Sequence, residues 1–89
     1  YDGQWKAMLR HGQGTLKCAR YTYSGDWVED RREGNGTLKA ANGDEFTGQW
    51  KDDQRSGTGV FVSGDGRVRY EGEWARDKRN GKGTLTVQG

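Results

Sequence analysis

The stretch YEGEWARDKRNGKGTL, residues 70–85, places Tyr70, Gly72 and Trp74 at alternating positions and follows them with Gly81-Lys82-Gly83 and Leu85. A period of two is typical of a β-strand, because successive side chains of a strand point to opposite faces. The stretch therefore predicts two strands, each with its aromatic or apolar residues and its glycines on one face.

The same unit occurs four times in the 89 residues, with identical internal spacing. Each copy reads aromatic-x-Gly-x-Trp, six residues, Gly-x-Gly, and an apolar residue two positions later. The repeats span approximately residues 1–22, 23–45, 46–69 and 70–89 of one array. Length varies only after the apolar residue, where Asn42-Gly43 and Asp65-Gly66 are hairpin-turn signals. These lengths predict a rigid unit joined to its neighbours by turns of different length. Because the chain begins with Tyr1 and not with methionine, we also expect it to be a fragment of a larger protein.

Two registers follow from the spacing. Within the fourth hairpin we expect a turn at Asp77-Lys78 and the pairs Trp74–Gly81, Gly72–Gly83 and Tyr70–Leu85. Between hairpins we expect Leu16, Leu38 and Phe61 opposite Tyr23, Phe46 and Tyr70, and Gly12, Gly34 and Gly57 opposite Trp27, Trp50 and Trp74. The glycines are expected to make room for the neighbouring rings.

The predicted fold is all-β, a single-layer twisted antiparallel β-meander of about eight strands that forms four stacked β-hairpins. The other face is expected to be polar, with Asp26, Gln49 and Glu73 among its residues. Strand twist should curve this ribbon into a groove lined by the aromatic side.

Composition excludes several classes of function. The net charge of +2, from 15 basic and 13 acidic residues, is too balanced for a nucleic-acid-binding surface. No apolar run approaches the roughly 20 residues of a membrane span. A single cysteine cannot form an intrachain disulfide, which favours a reduced, cytoplasmic location.

The pattern Y-x-G-x-W, followed by G-x-G-T-L and a turn, resembles the MORN (membrane occupation and recognition nexus) repeat over essentially the whole chain. The resemblance implies an elongated ribbon of hairpins that binds or scaffolds and is not an enzyme, with cytoskeletal or membrane association as further implications. Many family members carry a glycine in the hairpin loop, where this chain has Met8, Asp30, Asp53 and Asp77. Aspartate tolerates that loop backbone, and methionine does so less easily.

The leading hypothesis is a protein–protein interaction module whose aromatic groove binds a peptide or helix of a partner. The candidate groove residues are Tyr1, Trp5, Leu16, Tyr23, Trp27, Leu38, Phe46, Trp50, Phe61, Tyr70, Trp74 and Leu85. The same residues also suit a minimal core, and the two roles are compatible.

Two alternatives remain. Arg10, Arg32, Arg55 and Arg79 occupy equivalent loop positions and are candidates for an edge that binds acidic phospholipid, although pairing with nearby aspartates explains them as well. Unpaired end strands would also permit homo-oligomeric assembly by edge or face pairing.

We expect no catalytic residues, cofactor or metal site. His11 and Cys18 are seven residues apart along a strand, roughly 23 Å, so they cannot share a zinc ion within one copy. The Gly-x-Gly elements do not lead into a helix, which excludes a phosphate-binding loop.

Overall fold

The computed structural model describes residues 1–88 and folds them into one antiparallel sheet, whose strands are hydrogen-bonded in sequence order. The strands are β1 (Asp2–Lys6), β2 (Leu9–Lys17), β3 (Tyr21–Val28), β4 (Arg31–Ala40), β5 (Glu45–Lys51), β6 (Gln54–Val62), β7 (Val68–Ala75) and β8 (Lys78–Val87). Residues 1–88 contain no helix, and the sheet measures 47 × 27 × 15 Å. The prediction of an all-β, single-layer meander of four hairpins is confirmed.

The register between hairpins is also as predicted. Leu16 lies opposite Tyr23, and Gly12 lies opposite Trp27. The two later joints repeat these pairs with Leu38–Phe46, Gly34–Trp50, Phe61–Tyr70 and Gly57–Trp74. Turns of different length therefore preserve one register across the sheet.

Within each hairpin, the turn falls one residue earlier than predicted. In the fourth hairpin Arg76 and Asp77 form the turn, and Trp74 pairs with Arg79. The predicted Trp74–Gly81 pair and Asp77-Lys78 turn are therefore wrong, and the other hairpins likewise pair Trp5 with Arg10, Trp27 with Arg32 and Trp50 with Arg55. Both turn residues have positive φ, 50° and 66°, as in the type I′ turns that match the twist of two strands.

A bulge restores the register further along each hairpin. From the Trp74–Arg79 pair to the Gly72–Gly83 pair, β8 advances four residues while β7 advances two. Gly81 lies in this bulge with φ of 71°, and the equivalent Gly12, Gly34 and Gly57 have φ of 78°, 88° and 74°. Glycine reaches this left-handed region at little steric cost. The first glycine of each Gly-x-Gly thus shapes the backbone and does not make room for an indole.

The second glycine does make room for a ring, as predicted. A Cβ on Gly36 would lie 2.5 Å from Cε1 of Tyr23, and one on Gly59 would lie 2.6 Å from Cε1 of Phe46. Each aromatic side chain that opens a repeat therefore lies across the second glycine of its own hairpin.

The core is a row of rings along one face of the sheet. Its buried members are Tyr23, Trp27, Phe46, Trp50, Tyr70 and Trp74. Tyr23 makes edge-to-face contacts with Trp27 of its own repeat, at 5.0 Å between centroids, and with Trp50 of the next repeat, at 5.4 Å. Such contacts are favourable beyond the area they bury, and their alternation joins each repeat to the next.

Candidate functional site

The twelve predicted groove residues all lie along the aromatic face, and they differ in exposure. The six core rings are buried, so their main role is structural. Tyr1, Leu16, Leu38 and Phe61 are half-buried. Trp5 and Leu85, at the two ends, are 57% and 51% exposed. The accessible surface of this face is therefore formed mainly by its half-buried and exposed members and the residues that border them.

Two adjoining depressions lie on this face. The first, of about 310 Å³, has Phe46 and Trp50 in its lining together with Leu38, Phe61 and Arg32. The second, of about 560 Å³, is lined in the equivalent way by Tyr70, Trp74, Phe61, Leu85 and Arg79, with Val68 and Lys78. Phe61, Arg55 and Asp77 contribute to both. The depressions follow the repeat and form one apolar strip interrupted by arginine.

Three of the four predicted edge arginines, Arg10, Arg32 and Arg55, lie over the tryptophan of the next repeat. The fourth, Arg79, is exposed on the last strand of the sheet. Arg32 crosses to the next repeat, where its backbone N–H and its Nε both donate to Oδ1 of Asp53, at 2.8 and 3.2 Å. Its Nη2 donates to the backbone oxygen of Asp53, at 2.7 Å. The guanidinium carbon also lies 4.5 Å from the ring centroid of Trp50. We call this arginine, aspartate and tryptophan set the inter-repeat latch.

The latch occurs at every joint between repeats. Arg10 bonds to Asp30 over Trp27, and Arg55 bonds to Asp77 over Trp74. The arginine side chains of these pairs are 17–27% exposed and the aspartate side chains 42–48%, so both partners are less exposed than those of the surface pair Arg31–Asp52. A planar guanidinium suits this double role, because it stacks on an indole while its N–H groups bind oxygen. The pairing with aspartates that the sequence left as an alternative is thus present, but between repeats.

The pKa values of Asp30 and Tyr23 are both shifted from their usual ranges. The backbone N–H of Arg10 and its guanidinium both donate to Asp30, and they hold the pKa of that carboxyl below its usual value. Burial raises the pKa of the Tyr23 hydroxyl, which donates to the backbone oxygen of Asp26 at 2.9 Å. The site therefore holds a charged carboxylate, Asp30, at its rim and a neutral phenol, Tyr23, within.

The polar face holds a set of hydrogen-bond acceptors, which the sequence predicted only to be polar residues of that face. Oε1 of Glu73 accepts the backbone N–H of Lys82, the residue after the bulge glycine, at 2.8 Å. Gln4, Asp26 and Gln49 accept the equivalent N–H of Gln13, Asn35 and Thr58. The sequence contains one signal of this role: in all four copies, a residue with a hydrogen-bond acceptor lies between the first glycine and the tryptophan. These side chains stabilise the bulges.

Within residues 1–88, no three side chains of the metal-ligating types come together, and Cys18 is an exposed free thiol. The described part of the chain contains no helix of the length and hydropathy needed to cross a membrane.

A single sheet of repeated hairpins, with a ring core on one face and a latch at every joint, defines a protein of the repeat class, in which each unit is stabilised by its neighbours. The chain belongs to the MORN repeat family, whose model matches residues 1–22, 23–45, 46–66 and 70–86. The family's repeat is a non-catalytic module of membrane association or protein interaction. No curated protein matches the chain at a significant level.

Proposed function

We propose that this chain is a non-catalytic interaction module that binds a segment of a partner protein along the aromatic face. One observation carries the proposal: the two depressions adjoin at Phe61 and Arg55 and have the same ring-lined construction. A segment lying across both would place apolar side chains against Leu38, Phe61 and Leu85. Partly exposed apolar strips with a polar rim are typical of protein interfaces.

The partner is expected to be apolar and not strongly acidic where it meets the first depression, because Asp53 and Asp77 already neutralise Arg32 and Arg55 there. Binding energy at that depression would come from burial of apolar area, at roughly 25 cal/mol per Å². The exposed cations Lys78 and Arg79 line the second depression, so salt should weaken the part of the binding that involves them.

The test compares two substitutions on neighbouring residues of β6 that point to opposite faces. Phe61→Ser removes the apolar side chain that lines both depressions, and Val60→Ser removes a half-buried apolar side chain from the polar face. Proteins captured on wild-type chain and identified by mass spectrometry should be retained by Val60→Ser and lost with Phe61→Ser. Leu85→Ser, at an exposed position, should also weaken capture of a partner that spans the second depression.

Circular dichroism must show that each variant is folded. Identical capture by Phe61→Ser, Leu85→Ser and wild type would rule out the aromatic face as the contact surface.

A second candidate is peripheral membrane association, which the exposed basic residues of the fourth hairpin favour. Arg76, Lys78, Arg79 and Lys82 are all exposed there. Co-sedimentation with phosphatidylcholine vesicles that contain a phosphoinositide should then be strong, fall with added salt, and weaken in Lys78→Gln/Lys82→Gln. Equal sedimentation with and without the acidic lipid would exclude this candidate.

A further inference from the structure

The first depression of the aromatic face has an acidic residue at one end. Asp44, the residue before β5, lines it together with the apolar side chains of Leu38 and Phe46. Asp44 is half-buried, and among residues 1–88 no lysine or arginine lies within ion-pair distance of its carboxylate. The two arginines of the same lining, Arg32 and Arg55, are bound by their own aspartates. The unpaired charge beside the apolar lining is therefore negative.

The carboxylate of Asp44 is held in a fixed position by hydrogen bonds that leave its charge in place. The backbone N–H of Gly64 donates to its Oδ1, at 2.7 Å, and the side-chain amide of Asn42 donates to its Oδ2, at 3.2 Å. A carboxylate has about four acceptor positions, so both oxygens can accept a further N–H. Glu45, the other unlatched acid of the lining, lies opposite Lys39 on the neighbouring strand, which balances its charge.

The fold of the repeat does not require an acid at this position. The residue two positions before the ring that opens the repeat is Tyr21 in the second repeat and Val68 in the fourth. Tyr21 packs against the core, with its ring centroid 5.7 Å from the guanidinium carbon of Arg32. Val68 adds an apolar side chain to the second depression. The acid is thus a feature of the first depression and not of the repeat.

The first depression belongs to the interior of the sheet. Its floor comes from β4, β5 and β6, each of which is paired with a strand on both sides. A strand added at either end of the sheet would extend it sideways and would not cover this floor. The depression and its carboxylate are therefore accessible whatever lies beyond the two ends of the sheet.

We propose that the first depression selects a partner segment in which a lysine or arginine stands next to apolar side chains. The apolar side chains pack on Phe46 and Phe61, and the cation binds Asp44. The inference rests on the proposed function, because it names the kind of segment that the aromatic face accepts. Burial of apolar area supplies most of the binding energy, and the carboxylate discriminates among apolar segments.

The strand geometry sets the spacing within such a segment. Asp44 and Phe46 are two positions apart, which corresponds to about 7 Å along an extended chain. The cation should therefore lie two positions from an apolar residue in an extended segment, or three to four positions from it on one face of a helix.

The first experiment uses a library of short random peptides displayed on phage as the probe. Phage that bind the wild-type chain are depleted on Phe61→Ser, which removes peptides that bind elsewhere. The remaining peptides should be enriched in lysine or arginine at the stated spacing from an apolar residue.

The second experiment is a double-mutant cycle on one selected peptide. The peptide is synthesised with its cation and with glutamine in its place, and its affinity for wild type and for Asp44→Asn is measured by isothermal titration calorimetry. Asp65→Asn is the matched control, because Asp65 lies in the next turn of the same edge and outside the depression.

The cationic peptide should bind wild type about fivefold more tightly than Asp44→Asn, as expected of a partly exposed ion pair. The glutamine peptide should bind both equally, and Asp65→Asn should bind the cationic peptide as wild type does. Circular dichroism of each variant checks that the fold is unchanged.

The outcomes separate this inference from the proposed function. Peptides that are lost with Phe61→Ser but show no enrichment in cations, or bind wild type and Asp44→Asn equally, overturn the inference and leave the proposed function standing. An equal loss with Asp65→Asn also overturns it, since the effect would then come from net charge. If no peptide distinguishes wild type from Phe61→Ser, the proposed function and the inference both fail.

Discussion

At the scale of single residues, the charged positions of the loops fall into two kinds that look alike in the sequence. Asp52 and Asp53 are adjacent, as are Arg31 and Arg32. The Arg31–Asp52 pair is exposed on both sides, at 54% and 59%, whereas Arg32 is 17% exposed and lies over Trp50. Side-chain direction on the sheet separates a surface pair from a latch.

This difference predicts unequal effects of two neighbouring substitutions. Asp53→Asn should lower the free energy of unfolding by about 1 kcal/mol, because it weakens the acceptor for two N–H groups of Arg32. Asp52→Asn should change it by less than about 0.5 kcal/mol, as expected of an exposed ion pair. Urea unfolding followed by tryptophan fluorescence measures both, and equal effects would show that the latch contributes nothing beyond a surface pair.

The lowered pKa of Asp30 predicts a dependence of stability on pH. A carboxyl whose pKa is lower in the folded chain stabilises the fold above its unfolded pKa, about 3.9, and that contribution is lost as the pH falls through the folded value. Asp30→Asn should therefore destabilise the chain at pH 7, and the gap between wild type and variant should narrow at pH 3. A gap that is unchanged or wider at pH 3, measured by urea unfolding, would contradict this assignment.

At the scale of the hairpin, the two glycines of each Gly-x-Gly have different roles. Gly34 adopts a left-handed φ in the bulge, and Gly36 lies beneath the ring of Tyr23. The sequence predicts the role of Gly36, because an aromatic residue and this glycine recur at fixed spacing. It does not reveal the bulge, since a strand without one also satisfies a period of two.

The ring contact makes Gly36 intolerant of a methyl group. Gly36→Ala should destabilise the chain by about 1–3 kcal/mol, the usual cost of forcing extra volume into a packed site. Gly66→Asn is the control: a Cβ at Gly66 meets nothing within 4 Å, and asparagine tolerates its φ of 75°. Thermal unfolding by circular dichroism compares the two, and similar losses would indicate that the ring of Tyr23 moves aside at little cost.

At the scale of the whole molecule, stability depends on neighbours along one direction. Each internal strand pairs with a strand on both sides, whereas β1 and β8 have one neighbour each. The first repeat also lacks an aspartate at Met8, and Arg79 of the last has no partner among residues 1–88. The ends are thus the weakest parts of the array.

Amide hydrogen exchange should show this gradient. Amides in β1 and β8 should exchange at least about tenfold faster than those of β4 and β5, because a terminal unit can open without disturbing a second interface. Exchange measured residue by residue by NMR gives the profile, and uniform protection from β1 to β8 would mean that the sheet opens only as a whole.

The sequence by itself determined the strands, the composition of the two faces and the register between hairpins. Each follows from fixed spacing and from a side-chain period of two, which are local properties. Only the tertiary structure decided the type I′ turns, the bulges, the acceptor role of Glu73 and its equivalents, and the latches. The latches depend on contacts such as Arg10–Asp30, between residues twenty positions apart in different repeats. The turns, the bulges and the acceptors that stabilise the bulges depend on backbone angles, which a side-chain period of two does not specify.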